Sequence, residues 1–209
     1  MSPANPLLVP STLPYGLPDF SAIRDEHVMP ALEEALRRHT AEIAAIADSP
    51  EEPTAANTVV ALEQSGQDLA RVLGYFYTVA GADATEERLR MEAEISPLLA
   101  QHSDDMYMNP QLFHRIDAVF QTLPESVGSI EAKGGVTAAQ LEAETVALAQ
   151  RYHDLFLRHG AGLSAEAQAR VREINAELSQ LSSEFGDNLL KDTQARAVHI
   201  MEELSLIHI

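Results

Sequence analysis

The sequence contains no cysteine and no tryptophan, and aromatic residues make up only 5% of its 209 positions. Without cysteine there is no disulfide framework and no thiolate metal site, which fits a reducing compartment, so a cytoplasmic location is expected. Positive charge is scarce: 14 Lys and Arg stand against 32 Asp and Glu, for a net charge of −18. Such a surface repels phosphates and anionic lipid, so neither nucleic acid nor a membrane is an expected partner. No stretch approaches the ~18 consecutive apolar residues that a membrane span needs. The first residues show no basic segment followed by an apolar run, so no signal peptide is expected.

Chemical motifs are equally sparse. There is no His-Glu-x-x-His, no Gly-x-Ser-x-Gly and no Gly-x-x-x-x-Gly-Lys, the patterns that place zinc ligands, a serine nucleophile or a phosphate cradle. His39 with Glu42 and His102 with Asp105 have the i,i+3 spacing of two ligands on one helix face, but a histidine and a carboxylate supply at most two donors. They are read as surface or cap residues. His114, His153 and His159 have no matching set. The acidic pairs Glu51-Glu52 and Asp104-Asp105 lack calcium-loop spacing. No catalytic, cofactor-binding or metal-ligating residue is assigned.

What the sequence has is helical periodicity. Hydrophobic residues are 45% of the chain, enough for a sizeable core. A long helix is expected from about Ser164 to Asp192, with Val171, Ile174, Leu178, Leu181 and Phe185 in a 3-4-3-4 stripe, Leu189 and Leu190 extending it, and Ser164 as N-cap. Burying five such side chains would contribute roughly 1.5–3 kcal/mol each, so this helix is expected to pack its stripe on a partner. The expected partner is the preceding helix. That helix opens on a capping-box pattern at Thr137 and Gln140, carries Leu141, Leu148, Tyr152, Leu155 and Phe156, and ends at Gly160 and Gly162. The pair reads as an antiparallel helical hairpin.

Residues 1–22, with prolines at 3, 6, 10, 14 and 18, cannot be helix interior and read as an extended arm whose apolar side chains are available to lie on a surface. A first helix from Asp25 or Glu26 to Ala47 buries Val28, Leu32, Leu36, Ile43 and Ile46. A second stretch over 54–82 carries Leu69, Val72, Leu73, Phe76 and Val79, with Ser65-Gly66 kinking or splitting it. A third helix starts at Thr85, with Leu89, Ile95, Leu98, Leu99 and His102, and a bend is expected at Pro97. Asn109-Pro110 opens a fourth, with Leu112, Phe113, Ile116, Val119 and Phe120. Residues 124–136 read as a loop. No alternating strand pattern competes, so the fold class is all-α: an elongated antiparallel helical bundle of hairpins behind a proline-rich arm.

The order of several short motifs carries a resemblance. Asn5-Pro6-Leu7-Leu8 and Thr12-Leu13-Pro14-Tyr15 are followed by Asp25-Glu26-His27 with Pro30-Ala31, then Pro53-Thr54 and Asn57 through Glu63 with Ser65-Gly66. Further on come Pro97-Leu98-Leu99-Ala100 with His102, Asn109 through Phe113, Gly160-Ala161 with Leu163, and Ile174-Asn175 with Glu177-Leu178-Ser179, Leu181 and Phe185. This co-linear set, over residues 5–195, resembles the N-terminal part of bacterial peptidyl-dipeptidases of the Dcp type, in the thimet oligopeptidase family of zinc metallopeptidases. Ala55-Ala56 departs from it, where the family commonly has Phe-Glu.

The resemblance implies a much longer, mostly helical parent split by a deep channel. Its zinc would sit on a His-Glu-x-x-His helix plus a further glutamate in the C-terminal half, and it would release C-terminal dipeptides from short peptides. None of those ligands can be carried onto this sequence, so this chain itself is expected to bind no zinc. Residues 23–203 would be the N-terminal helical domain that walls the channel, with the missing catalytic half as its partner. A related oligopeptidase that cuts internally, or a free-standing acidic helical binding module, are the alternatives. Residues 204–209, Leu-Ser-Leu-Ile-His-Ile, resemble a translated sequencing adapter and are expected to be non-native.

Overall fold

A computed structural model describes residues 5–123 and 138–197, without the side chains of 138–142 and 194. The expected 124–136 loop, the Thr137–Gln140 capping box, the Leu141 side chain and the 204–209 tail lie outside the described residues. Within them the chain is all-α, with no strand.

Helix α1 spans Val28–Ala47 behind a 3-10 turn at Asp25–His27. Its stripe is buried as expected: Val28 and Leu32 completely, Ile43 and Ile46 nearly so. The 54–82 stretch divides at Ser65-Gly66. A π-turn at Ala56–Val60 runs into the one-turn helix α2, Ala61–Gln64, and α3 follows at Gln67–Ala82. Ser65 is extended and Gly66 has φ +71°, a left-handed conformation that costs an L side chain ~1–2 kcal/mol.

Helix α4, Glu86–Tyr107, is capped by Thr85, whose hydroxyl accepts from the Arg88 amide at 3.2 Å, and it continues through Pro97. Helix α5, Pro110–Gln121, is capped by the Asn109 side-chain Oδ1, which accepts from the Leu112 amide at 2.9 Å. Helix α6 spans Ala138–Arg158 and α7 spans Ala165–Arg196, four residues beyond the expected end. Gly160, at φ +97°, makes the reversal between them.

Two apolar clusters form the core. One joins α1, α3 and α4 around Leu32, Val72, Phe76 and Ile95, with Leu7 of the arm inserted. The other joins the end of α1, the π-turn, α5 and α6 around Val59, Leu112, Ile116 and Phe156. The arm is seated at its start, where Asn5 donates to the His27 carbonyl at 2.8 Å and Leu7 is buried. Further along, Val9, Leu13, Tyr15 and Leu17 are exposed.

The packing of α7 differs from expectation. It lies against α4, while α6 packs on α5, so the α6–α7 hairpin packing is corrected. Most of the stripe that was to be its buried face is also turned outward: Ile174, Leu178, Leu181, Phe185 and Leu189 are exposed, Phe185 at 70%, while Val171 and Leu190 at its two ends are half-buried. The half-buried face instead carries Arg172, Asn175, Ser179, Ser183, Asp187 and Leu190. The physical reason lies on α4. Asp104 is 5% exposed, a buried carboxyl that needs a hydrogen-bond partner, and Asn175 donates to it at 2.7 Å. Arg172 bonds the adjacent Asp105 at 2.7 Å. These anchors, with small residues between them, fix the rotation of α7 and leave its apolar stripe outside.

Candidate functional site

The histidines and acids considered as ligands separate into distinct local structures. His39 on α1 and His102 on α4 meet, with Nδ1 and Nε2 2.9 Å apart. Both are half-buried, which corrects the reading of them as surface or cap residues. Their i+3 carboxylates point to other tasks. Glu42 accepts from the Gly66 amide at 2.7 Å, capping α3, and Asp105 holds Arg172.

Burial is the main cause that lowers the affinity of both imidazoles for a proton. For His39 the neighbouring His102 adds to this and Glu42 opposes it; for His102 Asp105 opposes it. His153 stacks on Phe120 with ring centres 4.0 Å apart and reaches Asp117 at 3.1 Å. His159 stacks on Tyr107 at 4.1 Å and bonds the Leu155 carbonyl. His114 is exposed on α5. His39, His102, His153 and His159 pack helices together.

Among the described residues no group of three or more His, Asp or Glu side chains comes together in a way that could hold a metal ion. The zinc that the resemblance implies for a parent enzyme finds no fitting donor set in these residues. His39 and His102 are bonded to each other, and the other His39 nitrogen faces Ser65 Oγ at 3.1 Å. No helix of the described residues is long and apolar enough to cross a membrane.

Two polar groups hold the second core together: Arg115, which the sequence did not single out, and the hydroxyl of Tyr152, a residue expected only as part of a helical stripe. Arg115 on α5 is buried, donates to the carbonyls of Ser49 and Glu51 at 3.0 and 2.8 Å, and reaches Asn57 Oδ1 at 3.2 Å. It thereby ties the end of α1 to the π-turn. Tyr152 on α6 donates to Glu63 on α2 at 2.6 Å; burial first, and then this bond, hold its hydroxyl protonated well above the usual phenol range. Neither is legible as a periodicity, because each bond joins residues more than fifty positions apart.

What remains open to a ligand or partner is surface. A groove of about 350 Å³ runs between the end of α3, the start of α4 and α7, lined by Tyr77, Gly81, Leu89, Ser183, Gly186 and Leu190 among others. On the far side of α7 lies the exposed apolar stripe.

No protein-family model matches the chain. Its sequence is 38% identical over 190 residues to dipeptidyl carboxypeptidase of Escherichia coli, an alignment covering 91% of this chain and 26% of the relative. The enzyme of the same name from Salmonella typhimurium gives 38% over 191 residues, again 91% and 26%. Oligopeptidase A of Haemophilus influenzae is 28% identical over 206 residues, covering 99% of this chain and 28% of the relative. The chain thus spans about a quarter of the length of the curated relatives it matches. It is homologous to a segment of the bacterial dipeptidyl carboxypeptidases and, at lower identity, of the oligopeptidases A.

Proposed function

We propose that this chain is the N-terminal helical region of a cytoplasmic, zinc-dependent peptidyl-dipeptidase. That enzyme releases dipeptides from the C-termini of short peptides. The helices here contribute a wall of the substrate channel, and the metal and its ligands belong to the remaining part of the longer polypeptide. By themselves residues 1–203 are inactive.

The observation that carries this reading is the identity of 38% to two dipeptidyl carboxypeptidases, against 28% to an oligopeptidase A, over nearly the whole chain. The difference favours dipeptide release over internal cutting. The exposed α7 stripe supports a larger body, because a monomer rarely leaves a contiguous apolar face of this size in water.

The test is an assay of the complete polypeptide on N-blocked peptides of five to ten residues. Release of C-terminal dipeptides, abolished by a chelator and restored by zinc, supports the proposal. Internal cuts assign the chain to the oligopeptidase type instead, and a complete polypeptide without peptidase activity leaves the acidic helical binding module.

A further inference from the structure

We propose that the outer face of α7 is a docking surface for an apolar, basic-rimmed surface of the same polypeptide, contributed by the part that this chain does not span. The inference rests on the reading above that the chain is a portion of a longer one. It adds which face makes the contact and what chemistry meets it.

Ile174, Leu178, Leu181, Phe185 and Leu189 recur at intervals of four, three, four and four, and all are exposed. At a rise of ~1.5 Å per residue they form one seam roughly 22 Å long. The seam is directed away from α4, because the Asp104–Asn175 and Asp105–Arg172 contacts fix the opposite side of the helix. It is therefore a free face of a helix already anchored within the fold, and not the loose side of an undocked one.

The rim chooses the occupant. At ~100° per residue Glu173, Glu177 and Glu184 lie along one edge of the seam with Lys191, all exposed; Arg170 pairs with Glu173 at 2.7 Å, so Glu177 and Glu184 leave the edge with a net negative charge. The chain as a whole carries −18. A second copy would bring the same excess of negative charge to the interface, which like-charge repulsion opposes. A surface with Lys or Arg beside its apolar centre meets both the seam and its edge. The relatives supply the place to find it, since about three quarters of their length has no counterpart here.

The absence of cysteine from the chain provides a direct test. Leu178→Cys and Phe185→Cys are introduced singly, in residues 1–209 and in the complete polypeptide, and alkylation at each is followed by peptide mass mapping relative to the same protein in denaturant. Both positions are solvent-facing, so neither change removes a core contact, and circular dichroism checks that each variant keeps its helices. In the complete polypeptide both thiols should react at least ~10-fold more slowly than when unfolded, the protection that a stable packed contact confers. In the dilute isolated chain they should react almost as fast as when unfolded. Fast alkylation of both in the complete polypeptide overturns the proposal. So does protection in the isolated chain that grows with concentration, which assigns the seam to a second copy. Thiol protection in a complete polypeptide that releases no dipeptides would keep this inference and overturn the functional reading; exposed thiols in an active enzyme would do the reverse.

Discussion

His39 Nδ1 and His102 Nε2 lie 2.9 Å apart, joining α1 to α4. The surrounding bonds fix who donates. Ser65 Oγ spends its only hydrogen on the Leu62 carbonyl at 2.7 Å, so it accepts from His39 Nε2–H at 3.1 Å. That leaves His39 Nδ1 as an acceptor, and His102 Nε2–H donates to it. The relay needs a neutral His39, because a proton on Nδ1 removes the acceptor.

A pH dependence follows. Burial lowers the pKa of both imidazoles below the ordinary 6.5, so the unfolded chain takes up the protons first. Stability from this pair is then fully present above about 6.5 and is lost as pH falls through and below that value. Thermal melts at pH 8 and pH 5.5 should show a smaller loss on acidification for His39→Gln than for the unaltered chain. Equal losses would show that the relay does not couple folding to pH.

Gly66 stands against the same ring. A Cβ there would lie 3.1 Å from His39, and the residue is left-handed. Gly66→Ala should cost about 1–2 kcal/mol from the backbone alone, read as a lower melting midpoint, and should displace His39, seen as altered imidazole shifts of both histidines by NMR.

Arg115 is a buried side chain of the second core with three hydrogen bonds to the end of α1 and the π-turn. Arg115→Ala leaves the carbonyls of Ser49 and Glu51 without their donor and should cost roughly 2–3 kcal/mol in denaturant unfolding. Arg115→Lys, a point charge without the planar fork, should recover only part of the loss.

The anchoring of α7 is polar, so it should fail at Asp104. Asp104→Ala removes the buried acceptor for Asn175, and amide exchange in α7 should accelerate while that of α1 and α3 is unchanged. Uniform acceleration across all helices would show instead that α7 and the core open together.

Much of this fold was legible because its helices announce themselves twice, once by period and once by cap. Thr85, Asn109 and Ser164 each precede an apolar repeat, and each caps a helix. The break at Ser65-Gly66 was legible for the same local reason. The neighbour of α7 was not. A 3-4-3-4 stripe states that a face seeks burial but not that its partner belongs to the same chain, and the face that does pack, from Arg172 to Leu190, is polar or small-sided over most of its length and has no hydrophobic period. Likewise the meeting of His39 and His102, sixty-three positions apart, depends on how α1 and α4 pack, which spacing within either helix does not encode. The catalytic motifs sought do not occur in the sequence, and the proposed function assigns the chemistry to another part of a longer chain.

An exposed seam also has a consequence for the chain alone. In dilute buffer residues 1–203 should bind a dye that lights up on exposed apolar surface, and Leu178→Gln with Phe185→Gln should weaken that binding without lowering helicity. Equal dye binding by the unaltered and the doubly substituted residues would contradict this.

These helices are proposed to be one portion of a longer peptidase. The most direct test is the sequence of the intact gene read onward from the codon for Glu203. An open frame of several hundred further codons is expected, one that differs from Leu-Ser-Leu-Ile-His-Ile at once and later encodes a His-Glu-x-x-His. A natural stop immediately after Ile209, or a long extension without that motif, would contradict it.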